Sequence, residues 1–407
     1  MRKLAVALLL TLSGSAADWL MSRADPQGTG WQQHGRSISA ANAHELKLLW
    51  KRTLDNQSRG SNSLTAPTIL GPIVTHRGIK ELVFVGGSAD NIYAVDADLG
   101  RVFWRRHIDN GDGPKLPCDE GLTAAPAFAP PPPGAKVREE SDEGASPMRP
   151  FYFAASDGIL HTVRPSDGID MAPARKFVPA GANLSALLYS NHHIYANTSR
   201  GCGGVANGVW AIDTSNPDAK VGFFGGQTGT LSVGLDGTVY LASADKNVAL
   251  EPGTLKLKTS SVVGRNLVIN GKVFPVSGGE IRGSATSVDT GGTRWVYAAT
   301  NEGIRAFRVV EKAGKSTLKA EWAVQNIASP LEPAIVNGVV FVLASGDKST
   351  HAILYALDAH TGEQLYQSGD AVTSFVHSSG LAIANGHVCF GTWDNTLYCF
   401  GFPIEIE

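Results

Sequence analysis

The chain has 407 residues, 43 % hydrophobic, with 46 glycines, and 35 Lys and Arg against 37 Asp and Glu for a formal net charge of −2. That balance removes any electrostatic case for nucleic acid or an anionic membrane surface as partner. The length permits several domains, and the glycine content fits a soluble, turn-rich globular protein with an ample core.

The N-terminus reads as a targeting signal. Arg2 and Lys3 form a basic start, and Leu4 to Leu12 form an apolar stretch too short to span a bilayer. Ser15-Ala16-Ala17 supplies small residues at a cleavage position, so residues 1–17 are expected to be a signal peptide and 18–407 the mature domain. No later run is apolar enough for a transmembrane segment, and no Cys follows the apolar run as a lipid anchor would need. The expected location is periplasmic or secreted.

Seven copies of one unit follow, starting at Glu81, Phe151, His193, Thr238, Arg294, Val339 and His387. Each is a β-branched or aromatic run, a Gly/Asp/Asn turn and a second run, and the starts fall roughly 40 to 70 residues apart, the period of a propeller blade. A hairpin that cannot bury its faces alone stacks on its neighbours. A strand of small and apolar residues precedes each hairpin, as in SLTAPTIL from Ser63 and SSGLAIANG from Ser378. A tight turn and an outer strand follow, most clearly in ADLGRVFWRRHI and AHTGEQLYQSG. There Gly100 and Gly362 can take positive φ, Asp96 and Asp358 can bond the turn backbone, and Trp104 and Tyr366 offer large rings to dock between blades.

The last hairpin lacks an outer strand. Leu46 to Leu54 matches the missing pattern and is expected to close the ring against Thr396 to Phe400, removing the exposed edge. Two segments break the period: the Pro-rich, charged residues 129–150 within blade 2, and residues 262–282, with a hairpin signal at Asn270-Gly271. The second is a decoration of blade 4 or a degenerate eighth blade. The fold class expected is all-β: a single seven-bladed β-propeller of four-stranded antiparallel blades, eight-bladed as the alternative, closed by an N-terminal outer strand.

Export permits disulfides. Cys389 and Cys399 lie opposite each other across one hairpin, and Cys118 and Cys202 lie in loops of different blades; these are the expected pairs, with free buried thiols as the alternative. No C-x-x-C spacing supports zinc or attached haem, and no metal ligand set is assigned.

The unit resembles the quinoprotein (PQQ-type) repeat. Residues 84–97, FVGGSADNIYAVDA, follow its consensus nearly throughout, and 354–362, LYALDAHTG, match it well. The opening DWLMSRADPQGTGWQQHGRS from Asp18 is similar to the start of secreted bacterial propellers of this kind. The resemblance implies either a dehydrogenase with pyrroloquinoline quinone (PQQ) over the axis, a calcium ion and an Asp base, or a non-catalytic scaffold of the BamB type. The chain lacks the adjacent Cys-Cys pair of many quinoprotein alcohol dehydrogenases, is shorter than their eight-bladed domain, and lacks the scaffold's lipid-anchor Cys.

Propellers place ligands where the first strands begin. One polar residue near each start gives Asn62, Glu120, Asn183, Gln227, Arg282, Glu332 and His377 as a candidate cofactor-binding ring. In it Arg282 suits a carboxylate, Glu120 and Glu332 with an Asn suit calcium, and His377 or a Glu suits a base. The competing reading is that these residues only line a water-filled channel. His192-His193 reads as surface and packing, the turn Ser88–Asn91 as turn chemistry, and Gly201–Gly204 lacks what a phosphate loop needs. The function expected is a binding or scaffold module for a small molecule or protein at the propeller face; the alternatives are a PQQ- and calcium-dependent alcohol or sugar dehydrogenase, or a lyase or hydrolase at the same mouth.

Overall fold

In a computed structural model of the protein, the described residues are 17–60, 62–109, 121–130, 149–243, 246–262, 266–269, 272–275, 281–288, 291–312, 315–377 and 380–403, and of those in 261–285 and of 287, 288 and 315 only the backbone is described. They form a seven-bladed propeller of four-stranded antiparallel blades with no α-helix among them. Blade 1, from the axis outward, is Thr68–Thr75, Gly78–Gly87, Asn91–Asp96 and Val102–His107. Blades 2 to 6 repeat this order, their innermost strands centred on Ala127–Phe128, Leu188–Ser190, Thr230–Val233, Ile281–Val288 and Ala334–Val336. The Pro-rich residues 131–148 lie outside the described residues.

Blade 7 is built from both ends of the chain. Its inner strands Ala382–Ala384, His387–Gly391 and Thr396–Gly401 are completed by Lys47–Thr53, which runs antiparallel from Lys47 opposite Gly401 to Thr53 opposite Thr396. The expected closure is therefore present. The hairpin Asn266–Ile269 with Lys272–Pro275 pairs only with itself, so it decorates the link between blades 4 and 5 and is not an eighth blade. Cys389 and Cys399 are directly opposite in blade 7 and joined by a disulfide, both fully buried. Cys202 is also disulfide-bonded, and its expected partner Cys118 lies outside the described residues.

The blades are held to one another by indoles on the outer strands. Trp50 of blade 7 donates its Nε1–H to Ala97 O at 2.6 Å in the turn of blade 1; Trp104 of blade 1 donates to Pro165 O at 2.7 Å in blade 2; Trp322 of blade 5 donates to Ala359 O at 3.0 Å in blade 6. Each ring lies against a turn glycine. At Gly100, φ is +63° and a Cβ would come within 2.6 Å of the Trp50 ring. The turn is shaped by Asp96, whose Oδ1 accepts the N–H groups of Asp98 and Leu99, as Asp358 does for His360 and Thr361.

Removing the closing indole tests this account. Trp50→Ala should cost about 2–4 kcal/mol, below the full large-to-small range because the ring is half-buried. Gly100→Ala should be destabilising at the same junction, through positive φ and contact with the indole. Urea unfolding of both variants is the measurement, and a change under about 0.5 kcal/mol in Trp50→Ala would remove the indole from the closure.

The same junction carries a pH dependence. His387 of blade 7 has Nδ1 3.6 Å from Glu81 and Nε2 3.5 Å from Asp98, both in blade 1. Burial opposes the imidazolium, but Glu81, Asp98 and Asp96 outweigh it and raise its pKa. A raised folded-state pKa means the stabilisation is present in full below the unfolded value of about 6.5 and is lost as pH rises through the folded value. The unfolding free energy should fall across that window, and His387→Gln should flatten the fall; parallel pH profiles for the two proteins would refute the assignment.

Candidate functional site

The chain's own N-terminal segment lies along the inner strands, on the channel side of the blades. Residues 19–32 pass round the axis and bond to the inner strands of six blades. Trp19 exchanges both backbone bonds with Ile69 of blade 1, and Leu20 O accepts from Phe128 N of blade 2. Pro26 O, Thr29 O and Gly30 O accept from Val233 N, Thr286 N and Ile335 N of blades 4, 5 and 6, at 2.7–2.8 Å. Trp31–Gln32 adds a short parallel strand to blade 6. These contacts run along the inner strands, from Ile69 near the start of its strand in blade 1 to Phe128 and Val233 at the ends of theirs. We call this segment the strap.

One side chain locks it. Gln32 is 3 % exposed, and its Nε2 lies within hydrogen-bond distance of Ala17 O, Asp18 O and Ile383 O, at 2.9, 2.8 and 3.1 Å. Asp25 accepts from the Thr29 N–H and hydroxyl, and burial raises its pKa against those bonds. Burial likewise raises the pKa of Asp18, which pairs with Arg149 and accepts the Gly71 N–H.

Above the strap is a well of about 250 Å³, walled by residues 62–66 of blade 1, Leu122, Thr123 and Ala125 of blade 2 and residues 184–186 of blade 3, with Ser22 of the strap contributing to it. The threonine hydroxyls are used internally: Thr65 accepts from Gly86 N, and Thr123 exchanges bonds with Leu184 N and O. The well therefore presents methyl groups, serine hydroxyls and the amide of Asn62, whose buried Nδ2 has no hydrogen-bond partner. Glu332 is ion-paired with Arg23 of the strap at 3.5 Å.

The seven residues of the sequence ring have different placements. Asn62 lines the well and Glu332 meets the strap. Gln227 turns to its own blade, donating to Ser243 Oγ and Lys246 O. Asn183 lies in a strand opposite Ser199, and His377 is exposed in the loop before blade 7. Arg282 is inside the inner strand of blade 5 rather than before it, and only its backbone is described; Glu120 lies outside the described residues. Arg23, which reaches Glu332, carries no local sequence signal because it lies outside the repeats.

A quinone and calcium ask for an aromatic floor and a set of carboxylate and amide oxygens. The described lining of the well holds no aromatic ring and no carboxylate, and among the described residues no three His, Cys, Asp or Glu gather as a metal site needs. The described residues therefore do not fit that pair.

Breaking the lock should free the strap. In the mature chain Gln32→Leu leaves the Asp18 and Ile383 carbonyls without their donor and should cost about 2–4 kcal/mol. Limited proteolysis should then cut between residues 18 and 35 in the variant and not in the wild type; an uncut variant of unchanged stability would show that Gln32 does not hold the segment.

No protein-family model and no curated protein matches the sequence. Solved structures do match in fold. A quinohemoprotein alcohol dehydrogenase from Comamonas testosteroni aligns over 97 % of this chain and 82 % of its own, with a TM-score of 0.60 and 13 % identity. A europium-containing methanol dehydrogenase aligns over 97 % and 99 %, with a TM-score of 0.62 and 12 % identity. BamB from Moraxella catarrhalis aligns over 88 % and 100 % with a TM-score of 0.43 and 12 % identity, too slight to bear on the question. The chain thus has the propeller fold of the quinoprotein dehydrogenases, and at this identity the likeness speaks for the fold alone.

Proposed function

We propose that the protein is an exported, periplasmic or secreted propeller that works as a binding or scaffold module, taking a small-molecule or protein ligand at the channel mouth. The observation that carries this reading is the well. The strap bonds along the inner strands and lends Ser22 to it, Arg23 engages Glu332, and the walls are small and largely satisfied. Such a recess suits recognition: a preformed concavity with few polar groups. It offers no described base beside an acceptor for electrons.

The alternative, a PQQ- and calcium-dependent oxidoreductase, draws on the fold of the alcohol and methanol dehydrogenases. The two readings part in one experiment. The purified protein is incubated with PQQ and Ca²⁺, then followed by absorbance and by dye-linked oxidation of alcohols and sugars. The binding reading expects no turnover. Sustained dye reduction would overturn it. In parallel, small molecules are screened for those that raise the melting temperature. Ser185 is exposed at the rim of the well, so Ser185→Trp should block entry without touching the core. Stabilisation should disappear in that variant; ligands that stabilise both proteins equally would place binding elsewhere.

A further inference from the structure

At the junction of blades 7 and 1 the mouth face carries a second set of groups beside the well. The indole of Trp393 stacks on Phe375 with centroids 5.4 Å apart and planes 17° from parallel. Both rings are half-buried. The loop before blade 1 grips this residue from two sides. Ser58 Oγ donates to Trp393 O at 2.7 Å, and Gly60 O accepts from Trp393 Nε1 at 3.2 Å. Arg59 lies between those two contacts, in a turn closed by the paired bonds Arg59 N to Asn62 O and Asn62 N to Arg59 O. Its register at the indole is therefore set by its neighbours on both sides.

Two donors in this turn are unspent. Among the described residues no hydrogen bond or ion pair engages the half-buried Arg59 guanidinium, in contrast to Arg23, Arg105, Arg106 and Arg164. Asn62 Nδ2 is buried and unpartnered. An unmade bond at a buried donor costs free energy that a ligand acceptor recovers. The adjoining carboxylate, Asp394, accepts from the Thr392 hydroxyl at 2.5 Å.

We propose that this turn and the Trp393–Phe375 pair form a subsite for an aromatic carboxylate. Two features each select part of that chemistry. A guanidinium fork matches a carboxylate with two parallel bonds. A half-exposed indole offers a face for a planar ring, in the offset or edge arrangement aromatic pairs prefer. The proposal rests on the reading of the mouth as the ligand-binding face and names the chemistry of one part of it.

The test uses the full mature chain and benzoate as probe, with titration calorimetry. Saturable binding of benzoate is expected, with benzamide and acetate each weaker by about tenfold or more, since one lacks the charge and the other the ring. Arg59→Gln should weaken benzoate by at least about tenfold, and Arg59→Lys, which keeps the charge and loses the fork, should fall between. Trp393→Leu should weaken it as well; should that variant fold poorly, the Arg59 pair still decides. No saturable binding of benzoate, equal affinity for benzamide or acetate, or benzoate affinity unchanged in Arg59→Gln would each overturn the subsite. Ser185→Trp, which blocks the well from blade 3, should leave benzoate binding intact, so failure of the well and failure of this subsite are read separately.

Discussion

The structure depends on how one blade grips the next. A four-stranded sheet with apolar residues on both faces is stable only when both faces are covered, and in a ring each cover is the neighbouring sheet. The packing is non-directional, so something must set the angle at which blades meet. Here an aromatic on an outer strand does so, its N–H reaching a turn carbonyl of the next blade while its ring lies on a glycine. A bulge precedes each such ring: the ladder slips between Leu48 and Trp50, beside Trp104, beside Trp322 and beside Tyr366. A bulge turns the following side chain and sharpens the twist, which aims the ring out of its own sheet and at its neighbour.

Where the aromatic is missing the contact survives in other chemistry. Blade 2 has no Trp on its outer strand Asp170–Lys176; Arg175 donates there to Asp213 O and Ala219 O in the turn of blade 3. On the mouth side, Asp90 of blade 1 accepts from both the N–H and the hydroxyl of Ser156 in blade 2. The Ser88–Asn91 turn is thus also a clasp between blades.

The strap gives the propeller a floor. Its backbone satisfies inner-strand N–H groups that would otherwise face the channel. Two consequences meet at the mouth. Glu332 is ion-paired, and among the described residues the Asn62 Nδ2 and Arg59 guanidinium donors have no partner. A site with spare donors and half-buried rings suits binding of an anionic ring compound better than coordination of a cation.

The repeat was legible because its signals are local. Alternation, the Asp96–Gly100 and Asp358–Gly362 turns and the paired Cys389 and Cys399 all act within one hairpin, and the missing outer strand of blade 7 could be matched to Leu46–Leu54 by pattern alone. Which ring residues turn inward was not legible. Gln227 bonds its own blade and Arg282 is inside the inner strand of blade 5 rather than before it, because pattern alone places a strand's start only to within a few residues. The path of residues 19–32 was hidden for a different reason. They carry no period, and their bonds run from backbone to backbone across the axis, so no side-chain pattern records them. The amino-acid sequence by itself determined the blade and its closure, since those follow from short-range pattern and turn chemistry. Only the tertiary structure decided that the blades number seven, that residues 19–32 bond along the inner strands, that Arg23 takes Glu332 and that Arg59 stands beside Trp393, since these depend on long-range packing that brings distant, non-repeating segments together.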